Sequence, residues 1–494
     1  MLALTTAAAM READRRAIED YKIPSITLME RASRAVAAAA IPYLARGGTA
    51  VALCGSGNNG GDGLGAAVEL RRAGFPVRAV LAGSREHATP DWLEMEQRFA
   101  ALGGAVEDFS PSALQGAVVV IDALFGVGLN RSVGGAALDA IEAVNAAGVP
   151  VVAADIASGV EADTGRILGA ALRADATVTF SMAKPGHMVE PGCVNCGRLE
   201  ITDIGIPAEV LSECERKAFA LEDEDLLLPR RKALSHKGDY GKLLILGGSA
   251  GCTGAPTLCA RAAVRSGAGL VYLGVPAPIY EITAVKNDEA MPFALEEGAG
   301  NALERLRGCS VCAAGPGLGR GAAAKALVSA LLAEPWDGAL VLDADALNAL
   351  AERPDWRISR SGFTVLTPHE GEYARLGGTL GGDRIADARD FALRHGCALV
   401  LKGHRCLAAF PDGTVYVARP GNPGMAKGGS GDVLTGILAA MLGQFPGEEK
   451  RAVLTALELH ALAGKLCREK LGEYAMTASD LIGALPEATK AITL

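Results

Sequence analysis

The chain has 494 residues, half of them apolar and 21% charged, with a net charge of −9. At about 100–200 residues per domain this length asks for two or three domains, and so apolar a composition excludes wholesale disorder. The acidic balance argues against a general nucleic-acid binder, which needs a basic face, but leaves room for a small polyanion held by backbone amides and a few cations.

In chain order, residues 1–16 carry no basic residue ahead of a short Ala/Thr/Leu run, so no signal peptide is expected. Two Ala-rich amphipathic helices follow, broken at Ile23-Pro24-Ser25, where proline restricts the residue before it. Short β-branched runs at residues 51–54, 77–81, 118–122 and 151–155 alternate with Ala/Leu-rich helical stretches, the pattern of α/β layers around a mainly parallel sheet. From 207 to 237 the texture turns to mixed charge, including the acidic run 222–225 and Pro229-Arg230-Arg231-Lys232, which reads as a linker with a boundary near 215–221. A new strand at 242–246 restarts the alternation, which runs to the C-terminus. No apolar run reaches the ~20 residues of a membrane span. Eleven cysteines, odd in number and thinly spread, suit reduced thiols in a cytoplasm. Cys193/Cys196 and Cys309/Cys312 form two Cys-x-x-Cys pairs, but the second lies in a buried-strand pattern, so core or loop cysteines are preferred over zinc ligands.

After the first strand comes Gly55-Ser56-Gly57-Asn58-Asn59-Gly60-Gly61-Asp62-Gly63, opening a helix. Glycines at such a turn let amides approach phosphate oxygens, and the helix N-terminus adds partial positive charge. The spacing matches neither the G-x-G-x-x-G fingerprint nor a P-loop. Two further strand ends, Asp122-Ala123-Leu124-Phe125-Gly126-Val127-Gly128 and Asp155-Ile156-Ala157-Ser158-Gly159, would converge with it, because carboxyl ends of neighbouring parallel strands line the ligand crevice.

Together these three motifs resemble the NAD(P)H-hydrate epimerases over about residues 1–215. The resemblance implies a Rossmann-like three-layer αβα domain. It places the hydrated dinucleotide on Asn58, Asn59, Gly60, Gly61 and Asp62, and on the loop Gly126-Val127-Gly128-Leu129-Asn130-Arg131-Ser132. It also sets Asp155 on the ligand, where it can assist acid/base chemistry at the ring, and assigns a potassium ion to Asn59, Asp122 and Ser158. Oxygen-only ligands suit such a hard cation.

The strongest signal lies near the C-terminus: Gly421-Asn422-Pro423-Gly424-Met425-Ala426-Lys427-Gly428-Gly429-Ser430-Gly431-Asp432, running into an apolar helix. The glycines permit amides to point at one spot, and an aspartate there can take a proton from a hydroxyl while the amides stabilise a transferring phosphoryl group. This arrangement resembles the anion hole of ribokinase-like kinases. In order before it stand Tyr240-Gly241-Lys242, Leu246-Gly247-Gly248-Ser249, Thr253-Gly254-Ala255-Pro256, Gly315-Pro316-Gly317-Leu318-Gly319, Leu342-Asp343-Ala344-Asp345, Thr367-Pro368-His369-Glu370-Gly371-Glu372 and Leu401-Lys402-Gly403-His404. The series resembles the ADP-dependent NAD(P)H-hydrate dehydratases within a ribokinase-like α/β domain spanning 216–494. The resemblance implies that Ala255, Gly317, His369 and Asp432 contact the hydrate. It assigns Lys402, Gly403, His404, Arg405 and Cys406, with Asn422 through Gly431 (Pro423, Gly424, Met425, Ala426, Lys427, Gly428, Gly429, Ser430), to the adenine nucleotide. Asp432 is the expected base. Magnesium is expected with ADP as co-substrate, Glu370 and Glu372 being candidate ligands that also read as solvated helix-start acids. His460 reads as packed or capped rather than catalytic, and residues 376–383, rich in glycine, as a surface loop or nucleotide lid.

The two resemblances imply one bifunctional metabolite-repair enzyme that epimerises R and S forms of NADHX and NADPHX and dehydrates the S form with ADP, giving AMP and phosphate. A small-alcohol kinase carrying a non-catalytic dinucleotide-binding first domain is the alternative. Neither nucleic acid nor membrane is an expected partner. A cytoplasmic setting is expected from the cysteine pattern, and homo-oligomeric assembly from the family.

Overall fold

The computed structural model describes residues 1–222, 225–226, 228–296 and 300–494. Of the acidic run expected to be solvated, Asp223 and Glu224 lie outside the described residues. The chain divides into two compact units, Leu2–Phe219 and Ala220–Leu494.

In the first unit seven parallel strands form one sheet in the order Val106–Asp108, Val77–Leu81, Thr49–Cys54, Ala117–Ala123, Val151–Ala154, Ala176–Phe180, Arg198–Thr202. The chain winds outward in one direction from Thr49–Cys54 and in the other from Ala117–Ala123. These two neighbours are therefore the switch point at which a crevice opens beyond the strand ends. Helices Ser25–Leu44, Asn58–Arg72 and Pro90–Ala101 bury Met29, Leu64, Trp92 and Phe99 against one face, and Ala136–Ala147 buries Ile141 and Val144 against the other. Asn58–Arg72 carries four glycines in its first half, each costing about 1 kcal/mol in a helix interior. Close approach explains them: a Cβ on Gly60 would sit 1.8 Å from the Gly55 carbonyl oxygen, and one on Gly65 would sit 2.0 Å from Ser33 Oγ.

The second unit is built on a sheet in the order Val415–Pro420, Arg405–Ala409, Ala398–Leu401, Thr364–Leu366, Ala339–Leu342, Val311–Ala314, Lys242–Leu246, Leu270–Pro276, Met291–Leu295. Its strands run in one direction except Arg405–Ala409, which pairs antiparallel with both Ala398–Leu401 and Val415–Pro420. The reversal of winding falls between Lys242–Leu246 and Val311–Ala314. Helix Ser430–Gln444 is apolar nearly all round because it is enclosed by the sheet and by helices Gly254–Arg265 and Glu449–Ala475. Gly436 permits that enclosure, since a Cβ there would meet the Cys259 carbonyl oxygen at 2.1 Å. Cys312 lies in strand Val311–Ala314 and is fully buried, as its pattern predicts. Among the described residues no group of three or more His, Cys, Asp and Glu could hold a metal ion.

Candidate functional site

Each unit gathers polar side chains at the carboxyl ends of its parallel strands. In the first unit, Asp122 ends Ala117–Ala123 and is fully buried. Its carboxylate accepts hydrogen bonds from Ser158 N at 2.7 Å, Ser158 Oγ at 2.6 Å and Leu124 N at 3.4 Å. Burial pushes its pKa up to about 6, against the pull of those bonds. Asp155 follows Val151–Ala154 with φ of 64°, a left-handed conformation that costs an aspartate strain and typically marks a functional position. Asp155 Oδ1 accepts from Lys184 Nζ at 2.7 Å and Thr179 Oγ1 at 3.0 Å. Burial raises its pKa, but the Lys184 charge and hydrogen bond more than offset this and hold the carboxyl below its ordinary range. The other oxygen, Oδ2, faces Gly126: a Cβ there would lie 3.3 Å from Oδ2 and 3.2 Å from Asn59 Oδ1. Asn59, Gly126 and Asp155 are thus brought together. Gly128, Asn130, Arg131 and Ser132 are exposed along the loop beyond.

Lys184, Thr179 and His187 were not singled out by sequence reasoning. Lys184 is 1% exposed and also donates to Thr179 Oγ1 at 2.8 Å. His187 Nδ1 accepts from Lys184 N at 3.0 Å, so Nε2 carries the proton and donates to the Asp155 carbonyl at 2.8 Å. Burial, then the Lys184 charge, lower the His187 pKa to about 4 and keep the ring neutral. The available signal was a fourth strand end: Ala176–Phe180 leads directly into Ser181-Met182-Ala183-Lys184-Pro185-Gly186-His187.

In the second unit, Asp343, Thr367 and Lys402 follow three adjacent strands. Asp343 is buried and accepts from Lys402 Nζ at 2.7 Å, Thr367 Oγ1 at 2.8 Å and Thr435 Oγ1 at 2.7 Å. Burial works against its charge, and Lys402 outweighs burial, so its carboxyl stays below its usual range. A Cβ on Gly431 would lie 3.5 Å from Lys402 Nζ and 4.0 Å from Asp343 Oδ2, which puts the cation against the helix N-terminus. Asp432 stands in the first turn of Ser430–Gln444 and makes no side-chain hydrogen bond among the described residues. Burial, then the Asp343 charge, push its pKa up to about 7, with Lys402 pulling the other way. That is the range of a base working near neutrality.

Beside this helix start lies a cavity of about 830 Å³. The predicted nucleotide residues line it, except Arg405, Gly424 and Gly429. Gly424 is packed under Met476, whose Sδ a Cβ would meet at 2.2 Å. His369 lines the same cavity and caps helix Glu370–Arg375, its Nδ1 accepting from Gly371 N at 3.0 Å. Ala255 and Gly317 adjoin each other at the switch point, a Cβ on Gly317 falling 3.2 Å from that of Ala255. His460 also lines the cavity, with Nε2 3.0 Å from the Ser430 carbonyl oxygen. The magnesium candidates are otherwise engaged: Glu370 pairs with Arg384 at 2.6 Å, and Glu372 Oε2 accepts from His369 N at 2.9 Å.

Fold and site together define the class: a doubly wound α/β unit with a strand-end crevice, joined in sequence to a ribokinase-like nucleotide-binding unit. A family profile described as NAD(P)H-hydrate dehydratase matches residues 243–487, and one described as YjeF-related protein N-terminus matches residues 25–186. A bifunctional NAD(P)H-hydrate repair enzyme of Moorella thermoacetica is 42% identical over 98% of this chain and 96% of its own. The Escherichia coli enzyme of the same description is 34% identical over 88% and 85%. The chain belongs to the family of bifunctional NAD(P)H-hydrate repair enzymes. Among solved structures, the ADP/ATP-dependent NAD(P)H-hydrate dehydratase of Bacillus subtilis, co-crystallised with ATP and Mg2+, is 31% identical with a TM-score of 0.50, covering 56% of this chain and 99% of that one. A ribokinase-like protein of Enterococcus faecalis is 27% identical with a TM-score of 0.52, covering 56% and 98%. These relatives support hydrate repair and not the small-alcohol kinase alternative.

Proposed function

We propose that this chain repairs hydrated NADH and NADPH. The first unit interconverts the R and S hydrates; the second dehydrates the S form with ADP, releasing AMP and phosphate. The observation that carries the reading is Asp432, a half-buried carboxyl with no hydrogen-bond partner among the described residues, set at a helix N-terminus beside Lys402 and a nucleotide-sized cavity.

Hydroxide leaves poorly, so the second unit first converts the ring hydroxyl into a phosphate ester. Asp432 takes the hydroxyl proton as the oxygen attacks the terminal phosphoryl of ADP, and AMP departs. Lys402, held by Asp343 and lying against Gly431 at the helix start, would meet the charge spreading over the phosphoryl oxygens, with the glycine amides of that turn beside it. The ring nitrogen's lone pair then expels phosphate, and loss of a proton from the adjacent ring carbon restores the dihydropyridine. Ala255, Gly317 and His369 contact the hydrate in this reading. Magnesium would ride on the nucleotide phosphates and spread their charge, which suits an ion that keeps most of its waters and needs no all-protein cage.

In the first unit Asn58, Asn59, Gly60, Gly61 and Asp62 with residues 126–132 would hold the hydrate, and Asp155 would lie against its ring. Asn59, Asp122 and Ser158 fit a potassium ion. Asp122 is a buried carboxylate with no ion pair among the described residues, and the ligand atoms on offer, Asn59 Oδ1, the Asp122 carboxylate and Ser158 Oγ, are oxygens. Such an ion would balance the Asp122 charge and fix the crevice loops. Eleven cysteines, odd in number, thinly spread and seven of them buried, support a cytoplasmic setting; among the described residues no helix is long and apolar enough to cross a membrane.

Incubating the protein with both NADPH hydrates and ADP tests the reading. Full return of the reduced nicotinamide's near-ultraviolet absorbance, with AMP formed, is the expected result. Conversion that stops at the S fraction would remove the epimerase role, and return without AMP would remove the ADP-dependent one.

A further inference from the structure

We infer that Asp62 is the proton donor of the first unit, passing its proton to the hydroxyl that leaves the hydrated ring carbon. The inference rests on the epimerase reading above and deepens it. Asp62 stands in the first half of helix Asn58–Arg72, is 8% exposed, and its carboxyl makes no hydrogen bond among the described residues. It lines a pocket of about 120 Å³ with Asn58, Asp14, Asp91 and Phe180, room for more than one water molecule. A buried carboxyl aimed into such a pocket without a partner is costly for packing alone, and an asparagine or leucine would fill the place better.

The charged groups around it all favour a retained proton. Burial, then the charges of Asp155, Asp14 and Asp91, raise the Asp62 pKa well above the carboxylate range. Asp14, from helix Ala7–Glu19, is itself pushed up to about 6 by burial and the Asp155 charge, against a smaller pull from Lys184. Lys184, the cation of this cluster, is committed to Asp155. Asp155, which does not itself line the Asp62 pocket, is close enough to act on Asp62 through its charge, so an ionised carboxylate and a protonated carboxyl stand within electrostatic reach of each other, an acid and base pair set by environment.

The step balances. The ring nitrogen's lone pair forms the C=N bond of an iminium as the carbon–oxygen bond breaks, and the oxygen leaves as water with the Asp62 proton. The Asp155 carboxylate faces the cation so formed. Water then adds to the opposite face, loses its proton to Asp155, and the proton returns to Asp62 through solvent. No oxidant or co-reactant is consumed.

The test uses the full chain and the purified R hydrate of NADPH, following S hydrate by chromatography. Asp62→Asn is expected to lower kcat by at least about a hundredfold, the scale of a positioned general acid, while KM stays within a few-fold. Wild-type kcat should be level at acid pH and fall at alkaline pH, a fall absent from the Asn variant. Uptake of oxygen-18 from solvent into the ring hydroxyl should slow in step with epimerisation. Asp62→Glu, which keeps the carboxyl, should recover part of the rate and the alkaline fall. An Asn variant within about threefold of wild type, or a Glu variant no better than Asn, overturns the proton-donor role while leaving the epimerase reading intact. A wild-type chain that forms no S hydrate overturns the reading itself.

Discussion

Replacing Asp432 by Asn should make the second unit more stable while abolishing its chemistry. Asp432 has a folded pKa of about 7 against an ordinary 3.8, because burial and the Asp343 charge oppose its ionisation. A carboxyl with a raised folded pKa binds its proton more tightly in the native state. Its penalty is therefore small below about pH 4, grows as pH rises towards the folded pKa, and is constant above it. At roughly 1.36 kcal/mol per pKa unit, three units amount to about 4 kcal/mol at pH 8 and between 1 and 2 kcal/mol at about pH 5. Asn carries no charge at either pH and forfeits no hydrogen bond, since the Asp432 carboxylate makes none among the described residues. With about 2 °C per kcal/mol for a unit of this size, the Asn variant should melt about 8 °C higher at pH 8 and only a few degrees higher at pH 5. Urea unfolding at the two pH values gives the same comparison in free energy. A variant no more stable than wild type at pH 8, or a gain that fails to shrink at pH 5, would refute the electrostatic argument.

Four further outcomes follow from the same geometry. Below about pH 7, kcat/KM for dehydration should rise tenfold per pH unit as Asp432 ionises, then level off. Asp343→Asn should move that limb to lower pH by removing the largest charge that opposes ionisation; an unmoved limb would contradict it. Lys184→Met should cost the first unit about 3–5 kcal/mol, because Asp155 is left as a buried charge without its partner; unfolding with a midpoint close to wild type would count against a buried ion pair. Gly429→Ala should raise KM for ADP and destabilise by about 1–3 kcal/mol, since Gly429 has φ of 98° and a Cβ would meet Leu258 Cδ1 at 2.7 Å and Ala478 Cβ at 2.8 Å.

What could be read from the chain followed physical rule. Strands at residues 77–81 and 242–246 appear where their β-branched and apolar runs predict them, because a doubly covered parallel strand needs a largely apolar run, which Arg78 and Lys242 do not break. Arg198–Thr202 shows no such run; as an edge strand it is largely exposed, and its sequence carries little signal. Asn59, Asp122, Asp155 and Lys402 were marked by strand ends that carry glycine, and Asp343 by the motif Leu342-Asp343-Ala344-Asp345. Lys184 was not, because a lysine before Pro185 reads as an ordinary surface turn, and only the tertiary fold buries it against Asp155. The neutral state of His187 was hidden for the same reason. Asp62 was visible within its motif, yet its lack of a partner could be seen only in three dimensions.

The most direct test is the fate of one oxygen atom. S hydrate carrying oxygen-18 in the ring hydroxyl, turned over with unlabelled ADP, should deliver the label to the released phosphate. Label recovered in water instead would mean that the hydroxyl leaves without passing through a phosphate ester, and the account of the second unit would fail.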